Sequence, residues 1–570
     1  MSKMKPYLLF AQARRLISRI KVLHLANYWF VFLVILIGGY LTLIVNVIDG
    51  QNGCIGDRCG FIIGTNFRDG IWFQAVASTA FKTFPFQLPN YAGEALQGYH
   101  YLPNLAAYLL SQIGVPVTFT FYKLIPILFF SMLTIISIKF ARRIHDNVVF
   151  ISIFLFTIYF GMHLSLITSL YHFGEIRNSV LINTFQATRL LESPHAALAM
   201  ILLYIVVYFI WNNNLTVKKR VLISFFIFLS FGTKFYVAFS MLSIIGMYEL
   251  ISWLQKKQNF MSLFMHTCLY IFATCIAVLV FYNPFSAGSA SSTFIFSPFA
   301  TAHHLIESQN LFYNADLVNA RYFLYEAGWS PRLLAIELFS VVLFIIFYLG
   351  TRVLGFFYLF KMLILKKLNA AELAITFSIL ISIAISVLFI QKGDWFNPIQ
   401  FAVPAAYLMS ISTAQLLYGL IKKNPKIGYS ILTVFILLTL PANLVNASYW
   451  RNSDRLVIST HEMAALSYLE KQPYGIVFAP IDEFDMAYVS AFTGKPTYLN
   501  FVNTLENAGV NFEKRLTHSQ QFDPEMMPAV EYVYIPLNAP NHAKMIIYCE
   551  QTLETIYENE EVRICKKLTK

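Results

Sequence analysis

Apolar runs long enough to cross a bilayer recur along most of this chain, and they leave it one class of fold. They fall near 28–48, 116–138, 148–170, 195–211, 261–282, 333–360, 371–391, 401–421 and 427–446. The stretch 221–254 is long enough for two short crossings, broken at Gly232-Thr233-Lys234. A crossing helix takes about 20 residues, so with 221–254 read as a helical pair the chain is expected to be a polytopic α-helical membrane protein of about eleven spans. Composition agrees. Only 13% of the residues are charged and 57% are hydrophobic, whereas a soluble domain carries about 25% charge.

The net charge of +12 would suit a nucleic-acid binder if it were gathered on one surface. Here it is dispersed in short clusters between apolar runs: Arg14/Arg15/Arg19/Lys21, Lys139/Arg142/Arg143, Lys218/Lys219/Arg220, Lys256/Lys257, Lys366/Lys367 and Lys422/Lys423/Lys426. These fall alternately on one side of the spans, which marks that side as cytoplasmic and implies no nucleic-acid partner. The amino terminus is then inside and the carboxyl terminus outside. Met1–Lys21 is basic and amphipathic, and the first apolar run is of spanning length, so no cleavable signal is expected.

The polar material concentrates outside. The first outer loop, 49–115, holds an amphipathic stretch, Ile71, Trp72, Ala75, Val76 and Thr79, expected as a helix lying along the interface. The loop 171–194 carries His172, Glu175, Arg177, Arg189 and Glu192, and the loop 283–332 carries His303, His304, Glu307, Asp316, Arg321 and Trp329. The chain thus divides into a membrane domain, 1–446, and a small extracytoplasmic α/β domain, 447–570. In the latter, Ser459-Thr460-His461-Glu462 opens a helix over 463–470. Strands are expected at 475–480 and 532–535, and a hairpin over 553–567. Cys54 and Cys59 share the first loop, and Cys549 and Cys565 the terminal domain. Two disulfides fit an oxidising exterior; zinc is the weaker reading, because neither pair has a second ligand cluster beside it.

The first loop also carries the residues that suggest chemistry: Asp69-Gly70, Phe84-Pro85, Pro89, Gly93, Leu96 and Gly98-Tyr99-His100-Tyr101. This pattern resembles the GT-C superfamily, polytopic glycosyltransferases that take sugars from polyprenyl-phosphate carriers, and in particular an uncharacterised bacterial group of them. Further patches resemble that group: Ser193-Pro194-His195, Gly232-Thr233-Lys234-Phe235-Tyr236, Phe296-Ser297-Pro298-Phe299, Asn397-Pro398-Ile399-Gln400-Phe401 and Ala487–Gly494. The resemblance implies a GT-C-like fold in a bacterial plasma membrane. It implies transfer of a sugar from a polyprenyl-phosphate to a glycan, lipid or protein acceptor on the outer face, by an inverting displacement.

In that scheme Asp69 is the general base or a metal ligand, unless it merely caps a helix beginning at Gly70. Arg189, His195 and Lys234 are candidates for the leaving lipid phosphate, with His100 and Gln400 beside the substrate. His100 could instead serve the loop's own hydrogen bonds, and Asp394 and Gln400 the last outer turn. A divalent metal, Mg or Mn, would need Asp69 with Glu94 or Glu175. The pattern departs from the group at Phe73, where a His is frequent, and at Pro103-Asn104, where an Asp is usual. Those departures leave Asp69 without an evident metal partner in its own loop. Trp72, Trp329 and Trp395 could stack on sugar, although interfacial Trp is expected in any membrane protein. Two alternatives stay open: a lipid or polysaccharide transporter or flippase, and a non-catalytic scaffold that keeps the fold. Transporters place ionisable groups in broken central helices, whereas here His163 is the main such group and the polar residues gather in outer loops.

Overall fold

The computed structural model describes residues 28–42, 53–61, 67–161, 164–174, 193–211, 215–282, 294–308, 312–392, 395–452, 456–481 and 486–568. Among these, seven helical segments are long and apolar enough to cross a membrane: Val117–Ile144, Phe235–Leu254, Phe260–Phe281, Pro331–Ile364, Ala370–Leu388, Asn397–Lys423 and Pro425–Leu444. The shorter apolar helices Tyr28–Thr42, Val148–Phe160 and Pro194–Ile210, with Val217–Phe231, occupy the remaining expected runs. The protein is a multi-pass membrane protein.

The break at Gly232-Thr233-Lys234 ends Val217–Phe231 and starts Phe235–Leu254. Its glycine is required by packing: a Cβ there would lie 2.5 Å from Leu102 Cδ1 and from Phe281 Cζ. The close approach lets the Leu102 N–H donate to the Gly232 carbonyl at 3.0 Å. This bond moors the first long loop to the turn between two apolar helices.

In that loop the expected helix forms over Phe67–Thr79, but it does not lie on lipid. Ile71, Trp72, Phe73, Gln74, Ala75, Val76 and Ala77 are all buried, so protein covers every face. Gln74 Nε2 donates to the Ala491 carbonyl at 3.1 Å, and Thr79 Oγ1 to that of Ser490 at 3.1 Å. The exposed apolar stripe that an interfacial helix requires belongs instead to Leu102–Gln112 and its end, at Ala106, Leu109 and Ile113.

The carboxy-terminal region is laid against the first loop. The hairpin Gly53–Ile55/Arg58–Phe61 pairs with Leu456–Ser459 in one antiparallel sheet. Ala92 N–H donates to Thr497 O, Thr497 N–H to Pro89 O and Asn500 N–H to Asn90 O, all at 2.8–2.9 Å. Buried Asn90 adds bonds from Nδ2 to the carbonyls of Asn500 and Phe501 and to Thr504 Oγ1, at 3.0, 3.1 and 2.8 Å. Beyond this seam a four-stranded sheet runs in the order Ile476–Phe478, Val530–Pro536, Val562–Lys567, Leu553–Glu558, parallel in its first pair only. Ser459 caps Thr460–Glu470 by accepting the Glu462 N–H. Tyr488–Thr493 is a helix wedged against Phe67–Thr79. Disulfides join Cys54 to Cys59 and Cys549 to Cys565.

Candidate active site

Asp69 lies in the first turn of Phe67–Thr79. The helix starts two residues before it, so Asp69 is not the cap of a helix beginning at Gly70. Its charge there is favoured by the exposed N–H groups and dipole of the helix start. Asp69 keeps solvent access, yet burial among surrounding protein raises its carboxyl above the usual carboxylate range, with the Lys234 charge acting in the opposite sense.

Lys234 reaches this place from the turn before its span. It is half-buried, with Nζ 3.4 Å from His100 Nε2 and 5.7 Å from the centre of the Tyr236 ring. His100 is in turn stacked on Tyr99, ring centres 4.8 Å apart. Burial first, then the charge of Lys234, then His195, hold the His100 imidazole well below its usual value. That ring is a neutral acceptor for the ammonium.

Ser193 caps the helix Pro194–Ile210, which sets His195 in its first turn. His195 is fully buried, with its ring 5.1 Å from that of His100 and 4.4 Å from that of Phe73. The structure therefore gathers Asp69, His100, His195 and Lys234 from three separate stretches of sequence. It adds Asn104, which binds His195 at 2.5 Å. Its one sequence signal was negative: an amide near where the resembling group has a carboxylate.

The other candidates stand apart. Arg189 and Glu175 lie outside the described residues, as do His163 and Asp394. Gln400 belongs to the turn Asn397–Phe401 and donates to Asn397 Oδ1. That turn approaches the Lys234 region through Phe401, whose ring is 6.3 Å from that of Tyr236. Glu94 is built into a first-loop turn, where its carbonyl accepts the Leu88 N–H at 2.8 Å. Trp72 is buried between Phe501 and Tyr99, with ring centres 5.8 and 6.1 Å away, so it packs the loop and offers no face to sugar. Trp329 and Trp395 are exposed.

Among the described residues no group of three or more His, Cys, Asp or Glu side chains is placed to hold a metal. The charge acting on Asp69 is an ammonium, and a cation so placed repels a divalent ion. The donor set fits a cationic lysine better than a metal.

No protein-family model matches the sequence, and no curated protein matches it. Among solved structures the chain is similar to an oligosaccharyltransferase from Archaeoglobus fulgidus, crystallised with Zn and sulfate, at 13% identity. That likeness covers 88% of this chain and 68% of that one, with a TM-score of 0.47. It is similar also to ArnT from Cupriavidus metallidurans bound to undecaprenyl phosphate, at 8% identity over 94% and 98% of the two chains, TM-score 0.43. Likeness at this level leaves the reading of the site to its own geometry.

Proposed function

We propose that this protein is a membrane glycosyltransferase that moves a sugar from a polyprenyl-phosphate carrier to a glycan, lipid or protein acceptor on the outer face of a bacterial plasma membrane. One observation carries the reading: a solvent-reached carboxylate, raised by its surroundings, lies near enough to feel the charge of a lysine at the start of a membrane span. Asp69 is the general base. It takes the proton of the acceptor hydroxyl as that oxygen bonds to the anomeric carbon, and the bond from that carbon to the phosphate oxygen breaks. The electron pair leaves with the lipid phosphate, next to the ammonium of Lys234. Inversion follows from a single displacement.

Two physical arguments support the assignment. A base works best with a pKa near the operating pH, which burial favours here. Positive charge fixed where negative charge develops lowers the barrier without reorganisation. The disulfides in the first loop and in the carboxy-terminal region suit an oxidising exterior, hence the orientation with the amino terminus cytoplasmic.

The test is sugar transfer from a panel of labelled polyprenyl-phosphate sugars in proteoliposomes. Wild type transfers from at least one donor, and Asp69→Asn transfers at least about 10²-fold more slowly while folding as wild type. Undiminished transfer by that variant would remove the base assignment.

A further inference from the structure

Asn104 stands between the backbone of the Asp69 helix and the histidine that opens the fourth expected span. It is fully buried. Its Nδ2 donates to the Phe73 carbonyl at 2.8 Å, which fixes the direction of the amide. Oδ1 is thereby turned to His195 Nε2, 2.5 Å away. An amide oxygen only accepts, so the proton in this contact belongs to His195 Nε2, and Nδ1 is the bare nitrogen. The neighbouring ring has the opposite pattern. An ammonium only donates, so His100 Nε2, 3.4 Å from Lys234 Nζ, is bare and the proton of that ring is on Nδ1. The two rings meet edge to face with centres 5.1 Å apart, and Tyr99 stacks on His100 and also meets His195, with ring centres 4.8 and 6.1 Å away.

We infer that Asn104 is a positioning residue: it keeps His195 neutral and protonated at Nε2, and that ring seats His100 as the acceptor that aims the Lys234 ammonium. An amide suits this place because it donates to one neighbour and accepts from the other. An aspartate could not donate to the Phe73 carbonyl, and its charge would draw a second proton onto His195. The resulting imidazolium would sit against His100 and set a second cation beside Lys234. The kinetic consequence rests on the sugar-transfer reading above; the protonation pattern rests on the contacts alone.

The experiment uses the full chain, with 15N-labelled histidine, in lipid nanodiscs at pH 7. His195→Gln and His100→Gln assign the two rings. The wild-type spectrum should contain one ring with bare Nδ1, lost in H195Q, and one with bare Nε2, lost in H100Q. In N104D the His195 Nδ1 resonance should move to that of a protonated nitrogen. Transfer by N104D should lose about 10- to 100-fold in kcat through misplacement of the lysine, with KM for the donor changed by under about twofold. A proton on His195 Nδ1 in wild type would overturn the inference, and this reading needs no variant to fold. So would an N104D protein in which His195 keeps its tautomer and kcat is unchanged. If wild type neither transfers sugar nor binds undecaprenyl phosphate, the transferase reading falls, and the wild-type tautomers still decide the role of Asn104.

Discussion

The helix Phe235–Leu254 has a charged site at each end, and the two are built on opposite principles. Near its carboxyl end Glu249 is 1% exposed. Arg220 binds both carboxylate oxygens, at 2.8 and 3.2 Å. Tyr270 adds a bond to Oε1 at 3.1 Å and Gln258 one to Oε2 at 2.9 Å, so each oxygen has two donors. At the amino end, Asp69 keeps its access to solvent and shares its surroundings with Lys234. A carboxylate with four donors on it has no capacity left for a ligand and locks helices together. One that solvent reaches, with a cation nearby, can meet a substrate. The network joining 303–321 to the helix Pro331–Leu349 follows the closed pattern: Arg321 bonds Glu337 at 3.1 Å and Glu307 at 2.8 Å, and His303 bonds Glu337 as well.

Substitutions at the two ends should therefore fail differently. The largest effect is expected from Asp69→Asn, with transfer reduced by about 10²- to 10⁴-fold, the usual worth of a general base. Its unfolding midpoint should match wild type. Glu249→Ala leaves Arg220 buried without its partner and should cost about 3–5 kcal/mol of stability, measured by denaturant unfolding in detergent. Transfer per folded molecule should be unchanged. If Glu249→Gln abolished transfer in a folded protein, the contrast between the ends would break.

Lys234→Gln sharpens the same contrast through pH. The base acts as carboxylate, so transfer is lost as pH falls through the raised Asp69 value. Lys234 is the charge that lowers that value. Removing it should move the acid limb of the rate profile to higher pH, while binding of undecaprenyl phosphate weakens about tenfold, or about 1.4 kcal/mol. An unmoved limb would show that the two groups do not interact.

The seam between the first loop and the carboxy-terminal region should respond next. Asn90→Ala deletes three bonds from one buried amide and leaves buried acceptors unmet, at a cost of about 1–3 kcal/mol. Limited proteolysis of the first loop should quicken in step. The smallest effect lies at buried Lys495, whose Nζ donates to the Glu470 carbonyl at 3.1 Å. Burial first, then nearby Lys82, with Glu470 opposing, lower its pKa from 10.5 to about 8. Above that folded value the unfolded chain binds more protons than the folded one until its own lysine value is passed. Stability should therefore rise with pH across this window in wild type, and the wild-type advantage over Lys495→Met should grow with it. A constant difference between the two would count against a depressed lysine.

Hydropathy made the spans legible, because a bilayer demands length and apolarity from each segment by itself. The break at Gly232-Thr233-Lys234 was legible for the same reason: a glycine and a charge interrupt an apolar run. Two amphipathic stretches in the first loop were harder to tell apart. Phe67–Thr79 is covered by Tyr488–Thr493, about 410 residues along the chain, and no local pattern announces so distant a cover. Leu102–Gln112 keeps an open face and was passed over. At the site, Asp69, His100, His195 and Lys234 could be nominated from their motifs, and the fold brings them together. Asn104 could not, since a buried amide is recognised by its two neighbours and these come from separate segments. Glu249 and Glu337 were hidden within apolar runs, where their arginine partners give them a structural role.

The most direct test is a native mass-spectrometry titration of the purified protein with undecaprenyl phosphate, comparing wild type, Lys234→Gln and Glu249→Gln. Saturable binding by wild type and Glu249→Gln, with about tenfold weaker binding by Lys234→Gln, is the predicted result. Equal binding by all three proteins would contradict a lipid-phosphate site at the open end of this helix.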